Sequence, residues 1–113
     1  MKRAYYADTI KNFLQTEESS ILGELAKHNE FALEDLQKNA WISQIQILKQ
    51  LFAGYEEETF ILFEYAIPRM GKRVDVILLF KRAIFVLEFK VGENHYSNYA
   101  IDQALDYALD LKI

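Results

Sequence analysis

The chain has 113 residues, no cysteine and a formal net charge of −4, with 51% apolar and 14% aromatic residues. That length supports one globular domain with a single core. The charge and the missing cysteines exclude a disulfide framework, thiolate chemistry and duplex-DNA binding by bulk positive charge.

Residues 1 to 35 read as a helical prelude. Met1-Lys2-Arg3 leads into Ala4-Tyr5-Tyr6-Ala7-Asp8, which is no signal-peptide core. No apolar run approaches the roughly 18 residues of a membrane span. No membrane partner and a cytoplasmic location are therefore expected. Asp8-Thr9 can cap a short helix carrying Ile10, Phe13 and Leu14. Ser19-Ser20 can cap a second, with Ile21, Leu22 and Leu25, ending near His28-Asn29. A longer helix is predicted from Leu33 or Asp35 to Phe52. Its apolar stripe is Trp41, Ile45, Leu48 and Phe52, widened by Ile42 and Leu51, and Gly54 closes it. Trp41 reads as core.

A charged turn, Glu56-Glu57-Glu58, precedes a strand from Thr59 to Ile67 that Pro68 ends. Arg69-Met70-Gly71-Lys72 forms a basic loop. Two strands follow, Arg73 to Phe80 and Ala83 to Lys90, apolar on nearly every position, as strands buried on both faces are. Lys81-Arg82 is a polar turn between them. A loop from Gly92 to Asn98 leads to a final helix, Tyr99 to about Lys112, with Ile101, Leu105, Ala108 and Leu109 inward. The predicted fold class is α/β: N-terminal helices, a three-stranded sheet with a β-hairpin, and a C-terminal helix. Residues 1 to 113 make a single domain, residues 1 to 35 its extension. The chain stops as the final helix ends, so a piece of a longer protein is expected.

The hairpin carries the chemistry. If its strands pair symmetrically about Lys81-Arg82, Asp75 faces Glu88 and Arg73 faces Lys90. Glu88 and Lys90 share a strand face, because strand side chains alternate. A one-residue slip would turn Asp75 to the other face. Charges in otherwise apolar strands carry a desolvation cost and are rarely idle. Phosphodiester cleavage needs an activated water and a counter to negative charge on phosphate. Hard divalent cations do both, and Mg²⁺ takes one or two carboxylates while keeping several waters. Asp75 and Glu88 are the candidate ligands, the Phe89 backbone carbonyl a third oxygen, and Lys90 the group that orients water or stabilises the phosphorane. Mg²⁺ or Mn²⁺ is the expected cofactor.

Gln103 and Tyr107 lie four apart on one helical face and can grip phosphate or base edges. Arg69, Lys72 and Arg73 cluster beside the proposed site as phosphate contacts. His28 and His95, without cysteine, make a poor zinc pair, although His95 follows Lys90 closely. Asp102, Asp106 and Asp110 read as a solvated helical face.

Together these residues resemble the PD-(D/E)xK nuclease superfamily. The order is helix, strand, Val74-Asp75-Val76 strand, Glu88-Phe89-Lys90 strand, helix. Gln103-Ala104-Leu105-Asp106-Tyr107 looks like the QxxxY motif of its exonuclease branch. More closely, the chain is similar to the N-terminal region of bacterial Schlafen-group-3-like DNA/RNA helicase proteins. Asn39-Ala40-Trp41, IPRMGKRVDVILL from Ile67, IFVLEFKVG from Ile84 and AIDQALDYALDLK from Ala100 carry that likeness.

The resemblance implies a restriction-endonuclease-like core with Asp75 and Glu88 as metal ligands and Lys90 as catalytic lysine. Gln103 and Tyr107 would face the substrate. It implies nucleic acid as partner, DNA ahead of RNA, and a C-terminal helicase domain in the full-length chain. Val74 replaces the motif's proline. Relatives often carry an early glutamate; here the long helix offers Gln44, and Glu64 on the first strand is a substitute. No P-loop motif is present, so ATP hydrolysis by that route is excluded. Two rival expectations stand beside a nuclease: a catalytically silent module of the same fold that holds nucleic acid or a partner, and an interaction domain with neither activity.

Overall fold

The computed structural model describes residues 3–28 and 35–89. Among them the chain order is β1 (Tyr6–Thr9), α1 (Ile10–Gln15), α2 (Glu18–Lys27), α3 (Asp35–Leu51), β2 (Phe60–Ala66), β3 (Arg73–Leu79) and β4 (Ile84–Leu87). The strands form one antiparallel sheet in the order β1-β2-β3-β4. The result is an α/β domain with four strands where three were expected. The addition is β1, within the stretch read as wholly helical. Tyr6 pairs with Phe63 and Thr9 with Phe60. Backbone bonds from Tyr5 to Phe63 and from Ala66 to Arg3 lengthen that edge. The stretch 3–28 therefore belongs to the core layer.

The helices form where periodicity places them, and α1 begins at its expected cap. Thr9 accepts a hydrogen bond from the Asn12 N–H and caps α1. In α2 the cap position falls on Glu17, without a side-chain bond, and not on Ser19-Ser20. The α3 stripe of Trp41, Ile45, Leu48 and Phe52 is buried. Leu51, expected to widen it, is 66% exposed. Gly54 takes a φ of 80° just beyond the helix, a conformation cheap only without a Cβ.

Apolar strands on both faces produce two clusters. Ile61, Phe63, Val76 and Leu78 pack with Ile10, Phe13, Ile21, Leu25 and the α3 stripe. On the other side Ile77, Val86, Val74 and Ile67 gather with Leu62, Leu79 and Ile84. This two-sided burial explains why β3 runs Val74, Val76, Ile77, Leu78 with scarcely an exposed side chain.

The β3–β4 hairpin holds the symmetric register. Val76 pairs with Leu87, Ile77 with Val86, Leu78 with Phe85 and Leu79 with Ile84. Lys81-Arg82 is the turn, closed by a bond from the Phe80 N–H to the Ala83 carbonyl. The last strand is shorter than expected, and its ladder stops at Leu87, before Glu88.

Candidate carboxylate site

The sheet is interrupted where the acids lie. The β2–β3 ladder pairs Phe63 with Val76 and Tyr65 with Val74, but skips the intervening Glu64 and Asp75. Glu64 has a φ of 53°, in the left-handed region that a residue with a side chain seldom adopts. Beyond the break, Tyr65 and Val74 join the second apolar cluster. Strict alternation would have returned them to the helix side with Phe63 and Val76. The break thus reverses the facing of the strand and frees Glu64 from it.

Continued one step, the two registers set Glu64 across from Asp75, and Asp75 across from Glu88. Three acids from three consecutive chain segments fall at one level of the sheet, where the β3–β4 ladder ends while β2 and β3 pair on to Ala66 and Arg73. Each is held differently. The Glu64 Oε1 accepts from the buried Trp41 indole Nε1 at 3.0 Å. Asp75 Oδ2 accepts from the Phe89 backbone N–H at 2.7 Å. That carboxylate takes the place of the strand carbonyl that the shortened ladder no longer supplies. The Phe89 N–H, which the hairpin would otherwise leave without a ladder acceptor, is satisfied this way.

The acids also feel one another electrostatically. Burial pushes the Glu88 carboxyl up to about 7, and the negative charges of Asp75 and Glu64 push the same way, while Lys72 pulls it down. Burial also raises Glu64; the Trp41 bond opposes this, Asp75 adds to it and Arg73 counters. Asp75 is raised by burial, against the Phe89 hydrogen bond. These are carboxylates kept close together in a partly dry environment, the arrangement that a cation relieves.

The basic residues behave differently from one another. Arg69 and Lys72 are exposed in the β2–β3 loop, where Arg69 has a φ of 69°. Lys72 is electrostatically felt at Glu88. Arg73, expected as a phosphate contact, is engaged within the fold. Its Nη1 donates to the carbonyls of Arg3 and Glu64, and its guanidinium lies 4.2 Å from the Tyr5 ring centroid. It ties the β1 edge to the left-handed turn at Glu64. Gln44 is 4% exposed, and its side-chain oxygen has no hydrogen-bond partner among the described residues.

Among the described residues no group of three histidine, cysteine, aspartate or glutamate side chains is placed to hold a metal ion. Asp75 and Glu88 offer two carboxylates, which is the number a water-rich Mg²⁺ shell takes. The expectations on Lys90, Gln103, Tyr107, His95 and the final helix fall outside the described residues. A cleft of about 570 Å³ lined by Glu57, Glu58, Thr59, Phe80, Lys81 and Arg82 lies at the opposite end of the sheet, by the hairpin turn. It takes no part in the acid site.

Reading the sequence as core alone missed the second role of Trp41. A signal existed: a buried indole N–H needs an acceptor, and the flanking apolar stripe offers none. Comparison with known proteins brings no match, whether to a protein family, a curated protein or a solved structure.

Proposed function

We propose that the chain is a metal-dependent nuclease-like domain that hydrolyses nucleic-acid phosphodiesters, with a restriction-endonuclease-like core. The observation that carries this reading is the line of Glu64, Asp75 and Glu88 across β2, β3 and the end of β4. The element order α3, β2, β3, β4, with Asp75 on the third and Glu88 just past the fourth, also supports it. Asp75 and Glu88 would hold Mg²⁺ or Mn²⁺, joined by the Phe89 carbonyl. Such an ion supplies Lewis-acid activation of water and neutralises phosphate charge.

The chain's own groups do the rest. Lys90 orients the attacking water and meets the developing charge. Lys72 and Arg69, on the exposed loop beside Glu88, draw phosphates toward the site. Gln103 and Tyr107 position the strand. In the full-length protein this domain precedes a helicase that feeds it nucleic acid, DNA ahead of RNA, in the cytoplasm.

A second reading has its own observation. Asp75 is already bonded to the Phe89 N–H and Glu64 to Trp41. A silent nuclease-fold module that binds nucleic acid or a protein partner would look the same. Purified protein, single- and double-stranded DNA and RNA, and Mn²⁺ separate the two. The nuclease reading expects cleavage that Asp75→Asn and Lys90→Ala both abolish. Retardation of nucleic acid with no Mn²⁺ binding and no cleavage establishes the silent module. Cleavage that survives both substitutions belongs to a contaminant.

A further inference from the structure

Helix α3 carries more apolar surface than the core buries. Its inner stripe of Trp41, Ile45, Leu48 and Phe52 is covered, but Leu36, Ile47 and Leu51 are 68%, 40% and 66% exposed. They are half of the large apolar side chains exposed among the described residues, so this one helix concentrates that surface. Leu36, Ala40, Ser43, Ile47 and Leu51 follow one another at intervals of three or four, which sets them in one row along the helix. The rest of the fold holds α3 from other sides. Gln46 donates to Glu18 of α2, and Lys49 donates to the carbonyls of Phe13 and Thr16 at the end of α1.

Charge and size in this outer row say what fits it. The charged residues of α3 are Asp35, Lys38 and Lys49, and helical spacing puts none of them in the row. A face bearing charge would repel its own copy; this one is neutral from Leu36 to Leu51. The sizes also match an inverted copy of themselves. About a two-fold axis beside Ser43, Leu36 comes level with Leu51 of a second copy, and Ala40 with Ile47. The small Ala40 leaves room for the larger Ile47 on both sides of the axis, and Ser43 lets the helices approach there. Antiparallel packing also sets the N-terminus of each helix dipole beside the C-terminus of the other. Such a two-fold contact closes at two copies.

We propose that the outer face of α3 is a homodimer contact, in which the helices of two copies pack antiparallel with Leu36 against Leu51 and Ala40 against Ile47. The contact needs neither a cation nor nucleic acid, so it stands apart from the nuclease reading. Exposed apolar rows of this kind mark interaction surfaces. One pair of 17-residue helices covers less than the roughly 1,200 Å² of a standard interface. The two copies therefore exchange on dilution.

Sedimentation equilibrium of the whole chain from about 1 µM to about 500 µM should show monomer–dimer exchange. Ile47→Lys and Leu51→Glu each put a charge into the contact and should raise the dissociation constant by at least about tenfold. Both positions are exposed, so the fold should survive, which circular dichroism checks; should Ile47→Lys not fold, Leu51→Glu carries the test. Leu36→Lys and Leu51→Glu together in one chain should recover part of the loss. In the antiparallel dimer each lysine then meets a glutamate of the other copy, whereas a parallel pair would set lysine against lysine.

The chain has no cysteine, so a single introduced thiol reports only on contact between copies. Ser43→Cys lies beside the two-fold axis and should oxidise to a disulfide-linked dimer. Lys38→Cys, on the far side of the helix, should not. A chain that stays monomeric at about 500 µM leaves the face to another occupant and overturns the proposal. So does a dimer that Ile47→Lys and Leu51→Glu leave intact, a paired variant that recovers nothing, or cross-linking as fast through Lys38→Cys as through Ser43→Cys.

Discussion

Replacing Asp75 by asparagine and by alanine separates its structural role from its charge. The bond from the Phe89 N–H to Asp75 Oδ2, at 2.7 Å, is charge-assisted and half-buried. Alanine removes this charged acceptor from a part-buried N–H, at a cost of about 2 kcal/mol. Asparagine offers a neutral carbonyl in the same place and should cost under about 1 kcal/mol. For a domain of this size each kcal/mol moves the melting temperature by about 4 °C. Alanine should therefore lower it by about 8 °C and asparagine by less than half of that. Asparagine should also change its neighbour. Asp75 is the second cause, after burial, of the elevated Glu88 titration near 7. Removing its charge should bring Glu88 down, though not to the ordinary value, because burial remains. Thermal denaturation by circular dichroism and ¹³C titration of the Glu88 carboxyl measure the two effects. Equal destabilisation by both substitutions, or an unmoved Glu88 midpoint in Asp75→Asn, refutes the reasoning.

Stability should fall as pH rises. Glu64, Asp75 and Glu88 are all raised in the folded state, so the native protein holds more protons than the unfolded chain. The contribution from Glu88 is complete below its ordinary carboxylate range and is lost as pH climbs through about 7. Melting curves at pH 5 and pH 8 should show the lower midpoint at pH 8, and Glu88→Gln should flatten the difference; a wild-type midpoint that rises over that interval contradicts the shifts. Lys49 offers a test of the fold itself. Its Nζ donates to the carbonyls of Phe13 and Thr16, both at 2.6 Å, and sits 4.8 Å from the Phe13 ring centroid. Lys49→Met keeps the aliphatic stem but leaves the end of α1 uncapped, and should cost about 2 kcal/mol; urea denaturation showing no change would make that cap idle.

Much of the architecture was legible because it depends on short-range pattern. The α3 stripe follows a period of 3.6, and Trp41, Ile45, Leu48 and Phe52 are buried as that period requires. The hairpin register followed from two apolar runs about a two-residue polar turn, since a slip of one would exchange the faces. β1 was not legible. Its four residues, Tyr-Ala-Asp-Thr, have no alternation long enough to see, and they become a strand only because β2 offers an open edge. The exposure of Leu51 escaped for a related reason, since periodicity assigns a face but not where the packed neighbour ends.

The candidate site divides the same way. Sequence alone determined the hairpin register, from Leu79 with Ile84 to Val76 with Leu87, because strand pairing on a symmetric turn is a matter of counting. Only the tertiary structure decided what Asp75 and Glu64 touch. The ladder stops at Leu87, so the Asp75 carboxylate replaces a backbone acceptor for Phe89. The break at Glu64 turns that acid toward Trp41, 23 residues earlier in the chain. The sequence shows that the buried indole needs an acceptor but not which one, because each contact joins a polar group on one element to an acceptor on another.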